Sequence, residues 1–191
     1  MLQVRILFII LLPLLLLQGC VAAVATGAAV GASIAYDRRT TGAVIDDQGI
    51  EYKSASALYE NQNLYEQSHI NITSYNGIVL ITGETPTEAF KQEVSAKVKM
   101  IPKVTLIHNE LIIAAPSALP SRSSDSWITS KVKTKLAADE SVDPMYVKVV
   151  TERGIVYMMG LVTREEADQA VRVARQTAGV QRVVKIFEYQ D

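Results

Sequence analysis

Ile72-Thr-Ser-Tyr-Asn-Gly77-Ile-Val-Leu-Ile-Thr-Gly83 aligns without a gap with Val149-Val-Thr-Glu-Arg-Gly154-Ile-Val-Tyr-Met-Met-Gly160, at an offset of 77 residues. A fixed-offset repeat of this kind outranks any local signal, because it says that one small unit is built twice. Within each copy an alternating run meets a turn dipeptide suited to positive φ, Asn76-Gly77 in the first, and a second apolar run ends at a glycine. That is the pattern of a β-hairpin.

The match extends outward in both directions. Upstream, Ile50, Lys53 and Leu58 pair with Ile128, Lys131 and Leu136 at an offset of 78; downstream, Leu106 and Ile107 pair with Val183 and Val184 at 77. Thr85-Pro86-Thr87-Glu88 predicts a helix start with Thr85 as cap, and Thr163 with Glu166 predicts a second. Phe90, Val94 and Val98 give the first of these helices an apolar stripe, as Ala167, Ala170, Val171 and Ala174 do the second. Each copy therefore reads helix, strand, strand, helix, strand. The fold class is α+β: two tandem small αββαβ domains, each a three-stranded mixed sheet covered by two helices, with the crossover right-handed. Units of about 70 residues are near the lower size limit for an independent core, so the copies are expected to lean on one another.

The boundaries follow as residues 46–115 and 125–191, joined by a Pro/Ser-rich linker at 116–124. Ahead of them, Arg5 and an apolar run at 6–17 have the proportions of a signal peptide over residues 1–19. The run is too short to cross a bilayer, which needs roughly 20 apolar residues. Cys20 is the single cysteine and directly follows it, in Leu17-Gln-Gly-Cys20. A buried or stray thiol is the alternative reading. Residues 20–45, small and apolar at first, read as an anchor and tether.

The lipobox at 17–20, the Asp37-Arg38-Arg39-Thr40 segment, the Gly77/Gly83 and Gly154/Gly160 pairs, and Gly179-Val180-Gln-Arg-Val183 together resemble the dual BON-domain outer-membrane lipoproteins of Gram-negative bacteria. In the first copy Ile101-Pro102-Lys103-Val104 replaces the Gly-Val of that ending. The resemblance implies that Cys20 is acylated and becomes the first mature residue. With Val21 rather than Asp after it, it also implies an outer-membrane anchor facing the periplasm. It further implies an envelope-maintenance protein that binds phospholipid through its second BON domain and is not an enzyme.

Charge separates the two copies. The whole chain carries 19 basic and 20 acidic residues, so no polyanion such as nucleic acid is an obligatory partner. Residues 46–115 hold 5 basic and 9 acidic groups, whereas residues 122–191 hold 11 and 10. Only the second copy can approach an anionic surface without repulsion. On its first helix, predicted over 127–138, Ile128, Val132 and Leu136 form the core stripe, while Trp127, Lys131, Thr134 and Ala138 share another face flanked by Lys135. A tryptophan beside lysines on a solvent face is the composition of an interfacial contact with anionic phospholipid. The competing readings are that Trp127 packs in the seam between the domains or staples the helix start, and that the protein is an adaptor for envelope protein partners. Tyr52 and Tyr59 offer such an adaptor surface in the first copy.

Chemistry finds little foothold. His69 and His108 read as structural strand residues, and Asp46-Asp47 and Glu165-Glu166 as solvated carboxylates. No catalytic residue, metal site or cofactor is expected, since neither a ligand cluster nor a phosphate-binding glycine loop is visible.

Overall fold

The computed structural model describes residues 37–139 and 141–191. Cys20, the signal peptide and residues 20–36 of the expected tether lie outside them. The first copy comprises α1 (Thr41–Tyr59), α2 (Gln62–Gln67), β1 (His69–Tyr75), β2 (Ile78–Thr85), α3 (Glu88–Lys99), β3 (Leu106–Asn109) and β4 (Ile112–Ile113). The second comprises α4 (Leu119–Ala137), a 3-10 turn at Pro144–Tyr146, β5 (Val147–Glu152), β6 (Ile155–Val162), α5 (Arg164–Arg175) and β7 (Arg182–Tyr189). Each sheet has an antiparallel hairpin and a parallel third position, with the middle strand, β2 or β6, between the other two. The first copy's last strand is broken into β3 and β4, so that sheet counts four strands.

Several boundaries differ from the expectations. Helix α1 begins at Thr41, capped by the Thr40 side chain on Ala43 N–H, so the last residues of the expected tether are helical. Helix α4 begins at Leu119, inside the expected linker, because Pro120 falls in its first turn, where a missing N–H costs nothing. Thr85 is not a helix cap: it belongs to β2 and pairs with Ile113, and the cap of α3 is Thr87, whose hydroxyl accepts from Phe90 N–H. Thr163 and Glu166 do form a reciprocal capping box on α5.

The repeat also tightens by one residue. Val79 pairs with Ile107 where Val156 pairs with Val183, so the last strands correspond at an offset of 76 rather than 77. Sidedness explains it: Ile107 and Val183 both pack toward their helices, whereas Leu106 is exposed, and a one-residue slip would reverse every side chain. The same offset places Lys103, at φ 76°, where the second copy has Gly179 at φ 98°.

Both hairpins turn through two residues of positive φ, Asn76-Gly77 and Arg153-Gly154, the twist that suits a two-residue connection. Each turn is braced by a buried aspartate from the preceding helix. Asp47 accepts from Asn76 N–H (2.7 Å), Gly77 N–H (2.9 Å) and Ser74 Oγ (2.6 Å), and Asp125 accepts from Arg153 N–H (2.9 Å) and Gly154 N–H (2.8 Å). Asp47 is therefore structural rather than solvated; its neighbour Asp46 is exposed as expected. Gly83 and Gly160 occupy matching places where a Cβ would collide with a carbonyl oxygen, that of His69 at 1.9 Å or of Tyr146 at 2.3 Å.

Three cores result. Ile50, Leu58, Val79, Ile81, Val94 and Val98 lie between the first sheet and its helices, and Ile128, Val132, Leu136, Val156, Met158 and Ala170 do the same in the second copy. Between the sheets themselves sits a third, built from Tyr75, Leu80, Tyr157, Met159 and Ile186. The order is helices, sheet, sheet, helices. Strands buried on both faces are apolar throughout, which accounts for Ile78-Val-Leu-Ile81 and Ile155-Val-Tyr-Met-Met159. Residues Arg38–Asp191 accordingly form one unit.

Arg38 and Arg39 clasp that unit. Arg38 makes two bonds to the Glu166 carboxylate (2.6 and 2.7 Å), donates to the Leu161 carbonyl and stacks on Tyr146 of the second copy. Arg39 pairs with Asp47 at 2.7 Å and stacks on Tyr75 of the first. The guanidinium of Arg38 holds the Glu166 carboxyl below its ordinary range, so Glu166 is engaged, whereas Glu165 is exposed.

Candidate functional site

The apolar stripe of α4 is placed as its sequence requires, with Ile128, Val132 and Leu136 buried against the sheet. Trp127 is 65% exposed. It therefore does not pack in the seam between the sheets, and it stands eight residues into the helix rather than at its start. Leu119 is the other large apolar side chain that α4 shows to solvent.

Trp127, Ser130, Lys131, Thr134 and Lys135 line one shallow groove of about 320 Å³ with an apolar surface. Four of the five residues expected at this face are thus brought together. Ala138 is exposed one turn further on and does not line the groove. Ser130 was not expected, although it lies three residues from Trp127 on neighbouring helical surface.

The two lysines stand at one margin. Lys131 Nζ donates to the Ala178 carbonyl, and Lys135 Nζ donates to the Gln176 carbonyl at 2.9 Å. Gln176 is the C-cap of α5, so both ammonium groups sit at the negative end of that helix, a favourable position for cations. Each ammonium has three donors, and one bond to a carbonyl leaves two for an anionic oxygen. The Thr134 hydroxyl is turned inward onto the Ser130 carbonyl at 2.9 Å, so it contributes its methyl group to the groove. Among the described residues no titratable acid lines the groove. What the arrangement offers is an indole and methyl floor with positive charge along one edge.

On α1 and α2 of the first copy the exposed large side chains are Ile45, Tyr52, Tyr59 and Tyr65. The first three follow a seven-residue spacing on α1, and Tyr59 meets Tyr65 edge-on at 5.1 Å between ring centres. No helix among the described residues is long and apolar enough to cross a membrane.

Both copies match the family model described as the BON domain, over residues 46–115 and 124–191. The chain is 39% identical over 175 residues to the outer membrane lipoprotein DolP of Haemophilus influenzae, covering 92% of this chain and 91% of that one. It is 36% identical to a 21 kDa hemolysin of Actinobacillus pleuropneumoniae, covering 80% and 79% of the two chains. It is also 27% identical to the osmotically-inducible protein Y of Escherichia coli, with 83% and 80% covered. Duplicate αββαβ units, each matched by that family model, make the chain a member of the BON-domain family, related to an outer membrane lipoprotein.

Proposed function

We propose that this is an outer-membrane lipoprotein, acylated at Cys20 and facing the periplasm, whose second BON domain binds anionic phospholipid through Trp127, Lys131, Thr134, Lys135 and the adjoining Ala138. The observation that carries the reading is the exposure of Trp127 over an apolar groove edged by two lysines. Its similarity to an outer membrane lipoprotein supports the location. An indole at headgroup depth and ammonium groups among phosphates is the balance found in interfacial helices. Each lysine near an anionic leaflet contributes about 1 kcal/mol, screened by salt.

Such a contact is weak on its own and gains from tethering. Cys20 precedes Arg38 by 18 positions, a stretch that spans at most ~60 Å fully extended. An acyl anchor at Cys20 would hold the groove at high effective concentration over the same bilayer. Envelope integrity is then the process served, and binding rather than catalysis is the activity.

Vesicle flotation of residues 38–191 tests the assignment. This unit is preferable to its second half, because the half alone would expose Tyr157, Met159 and Ile186. Native protein should float with phosphatidylglycerol vesicles and not with phosphatidylcholine, and Trp127→Glu should weaken flotation at least ~10-fold, about 1.4 kcal/mol. Equal flotation of the two proteins would refute the face. A second reading, a protein adaptor, draws on the exposed Ile45, Tyr52 and Tyr59 stripe of the more acidic first domain; crosslinks from Tyr52 to a single envelope protein would favour it.

A further inference from the structure

One polar cluster in the seam between the domains plays no part in the lipid-facing groove. His69 opens β1, Glu84 is its register partner on β2, and Glu152 closes β5 of the other domain. His69 Nδ1 lies 3.0 Å from Glu84 Oε2, and Asn71 Nδ2 donates to Glu152 Oε2 at 3.0 Å. One nitrogen or oxygen from each of the three side chains falls within 4.8 Å of the others. Glu84 is fully buried and Glu152 nearly so.

The Glu84 carboxylate is incompletely satisfied. Its Oε2 is met by His69 and by Ser117 N–H at 3.2 Å, but its buried Oε1 accepts no hydrogen bond. The cation facing Oε1 is Arg153, 3.5 Å away, with a side chain that is half exposed. Buried carboxylate oxygens in native proteins are nearly always partnered, so a Glu84 whose Oε1 has only the half-exposed Arg153 guanidinium at 3.5 Å has capacity for a further cation.

We propose that His69, Glu84 and Glu152 form a site for a divalent cation of the zinc class that bridges the two BON domains. Imidazole nitrogen with carboxylate oxygen is a donor set such ions accept. Bonds of 2.0–2.1 Å in a tetrahedral site place ligand atoms roughly 3.3 Å apart. His69 Nδ1 and Glu84 Oε2 already meet that spacing, and a side-chain movement on the order of 1.5 Å brings in the third ligand. Arg153 can turn outward as the cation takes over its charge, because its backbone is held separately by Asp125. The site borders an open cleft of about 420 Å³ lined by His69, Asn71, Arg122, Thr129 and Glu152, which gives entry and room for a water as fourth ligand. Since two ligands come from one domain and one from the other, the ion would stabilise their packed arrangement by mass action.

The test uses the full chain in detergent micelles, stripped with chelator and titrated with ZnCl2 by calorimetry, with melting followed in parallel. One equivalent of zinc should bind at micromolar concentration and raise the melting temperature. His69→Ala and Glu152→Gln should each weaken binding at least 10-fold and abolish the thermal response. Gln has the shape of Glu and its amide oxygen still accepts from Asn71, so Glu152→Gln stays folded and decides the matter if His69→Ala does not. His108→Ala should bind zinc like the native chain, and Cys20 is common to every variant. Absence of zinc binding by the native chain, or native affinity in the folded Glu152→Gln variant, overturns the site.

Discussion

Replacing Asp125 by Ala removes a brace that the sequence alone does not advertise. Asp125 is 6% exposed, and its carboxylate accepts from Arg153 N–H and Gly154 N–H, which sit at the two positive-φ positions of the β5–β6 turn. Hydrogen bonds to a charged acceptor are worth about 1.5–3 kcal/mol each, and the orphaned N–H groups, that of Gly154 buried and that of Arg153 part-buried, retain desolvation cost. Asp125→Ala should therefore cost about 3–5 kcal/mol. For a unit of this size each kcal/mol lowers Tm by ~2–4 °C, so the fall should be on the order of 10 °C. Asp125→Asn keeps one acceptor oxygen without the charge and should lose roughly half as much. Asp47→Ala should cost more than Asp125→Ala, because Asp47 also bonds Ser74 Oγ and pairs with Arg39. Urea unfolding of residues 38–191 followed by far-UV circular dichroism measures all three. Asp168, exposed and 3.8 Å from Lys185, supplies the comparison: Asp168→Ala should stay within about 0.5 kcal/mol. If Asp125→Ala is indistinguishable from Asp168→Ala, the turn is held by its own backbone and the reasoning fails.

Two further outcomes follow from the packing. Arg38 lowers the Glu166 carboxyl below its ordinary value of 4.5, so its contribution to stability is complete above pH ~4.5 and disappears as pH falls through the lower folded-state value. Glu166→Gln should be less stable than native protein at pH 7 and converge with it in acid; a gap that is constant from pH 7 to pH 3 contradicts the ion pair. Met159 is fully buried between the sheets, and Met159→Ala should cost about 2–4 kcal/mol while calorimetry continues to show one transition for both domains; two resolved transitions in the native unit would deny the shared core.

The repeat and its hairpins were legible because turn dipeptides and apolar runs are local signals. Sheet-on-sheet packing was legible in principle: neither Ile78-Val-Leu-Ile81 nor Ile155-Val-Tyr-Met-Met159 has the polar alternation of a half-solvated strand. The aspartate braces were hidden, since Asp47 is 30 residues from Gly77 and looks like one of a solvated pair; only its recurrence as Asp125 at the helix offset marks it. The His69, Glu84 and Glu152 cluster was hidden for a similar reason. Residues 15 and 68 apart share no motif spacing, and opposition of the two sheets is what joins them. Trp127 was readable because an amphipathic helix separates its two faces by angle alone.

Duplication lets each copy serve as the other's control. At the helix offset, buried Ile128 and Leu136 of α4 correspond to buried Ile50 and Leu58 of α1, so the core face has been kept. The outward face keeps Lys131 at Lys53 but otherwise differs: Trp127, Lys135 and Ala138 stand where the first copy has Gly49, Ala57 and Glu60, while Tyr52 and Tyr59 stand where α4 has Ser130 and Ala137. Packing cannot account for the difference, because the sheets bury each other and both helices lie on the outside. With the sheet faces consumed, outward helices are the broad surfaces left for recognition. On the function proposed above, the aromatic flanked by lysines on α4 would take phosphate headgroups and the tyrosines of α1, on a more acidic background, would take a protein.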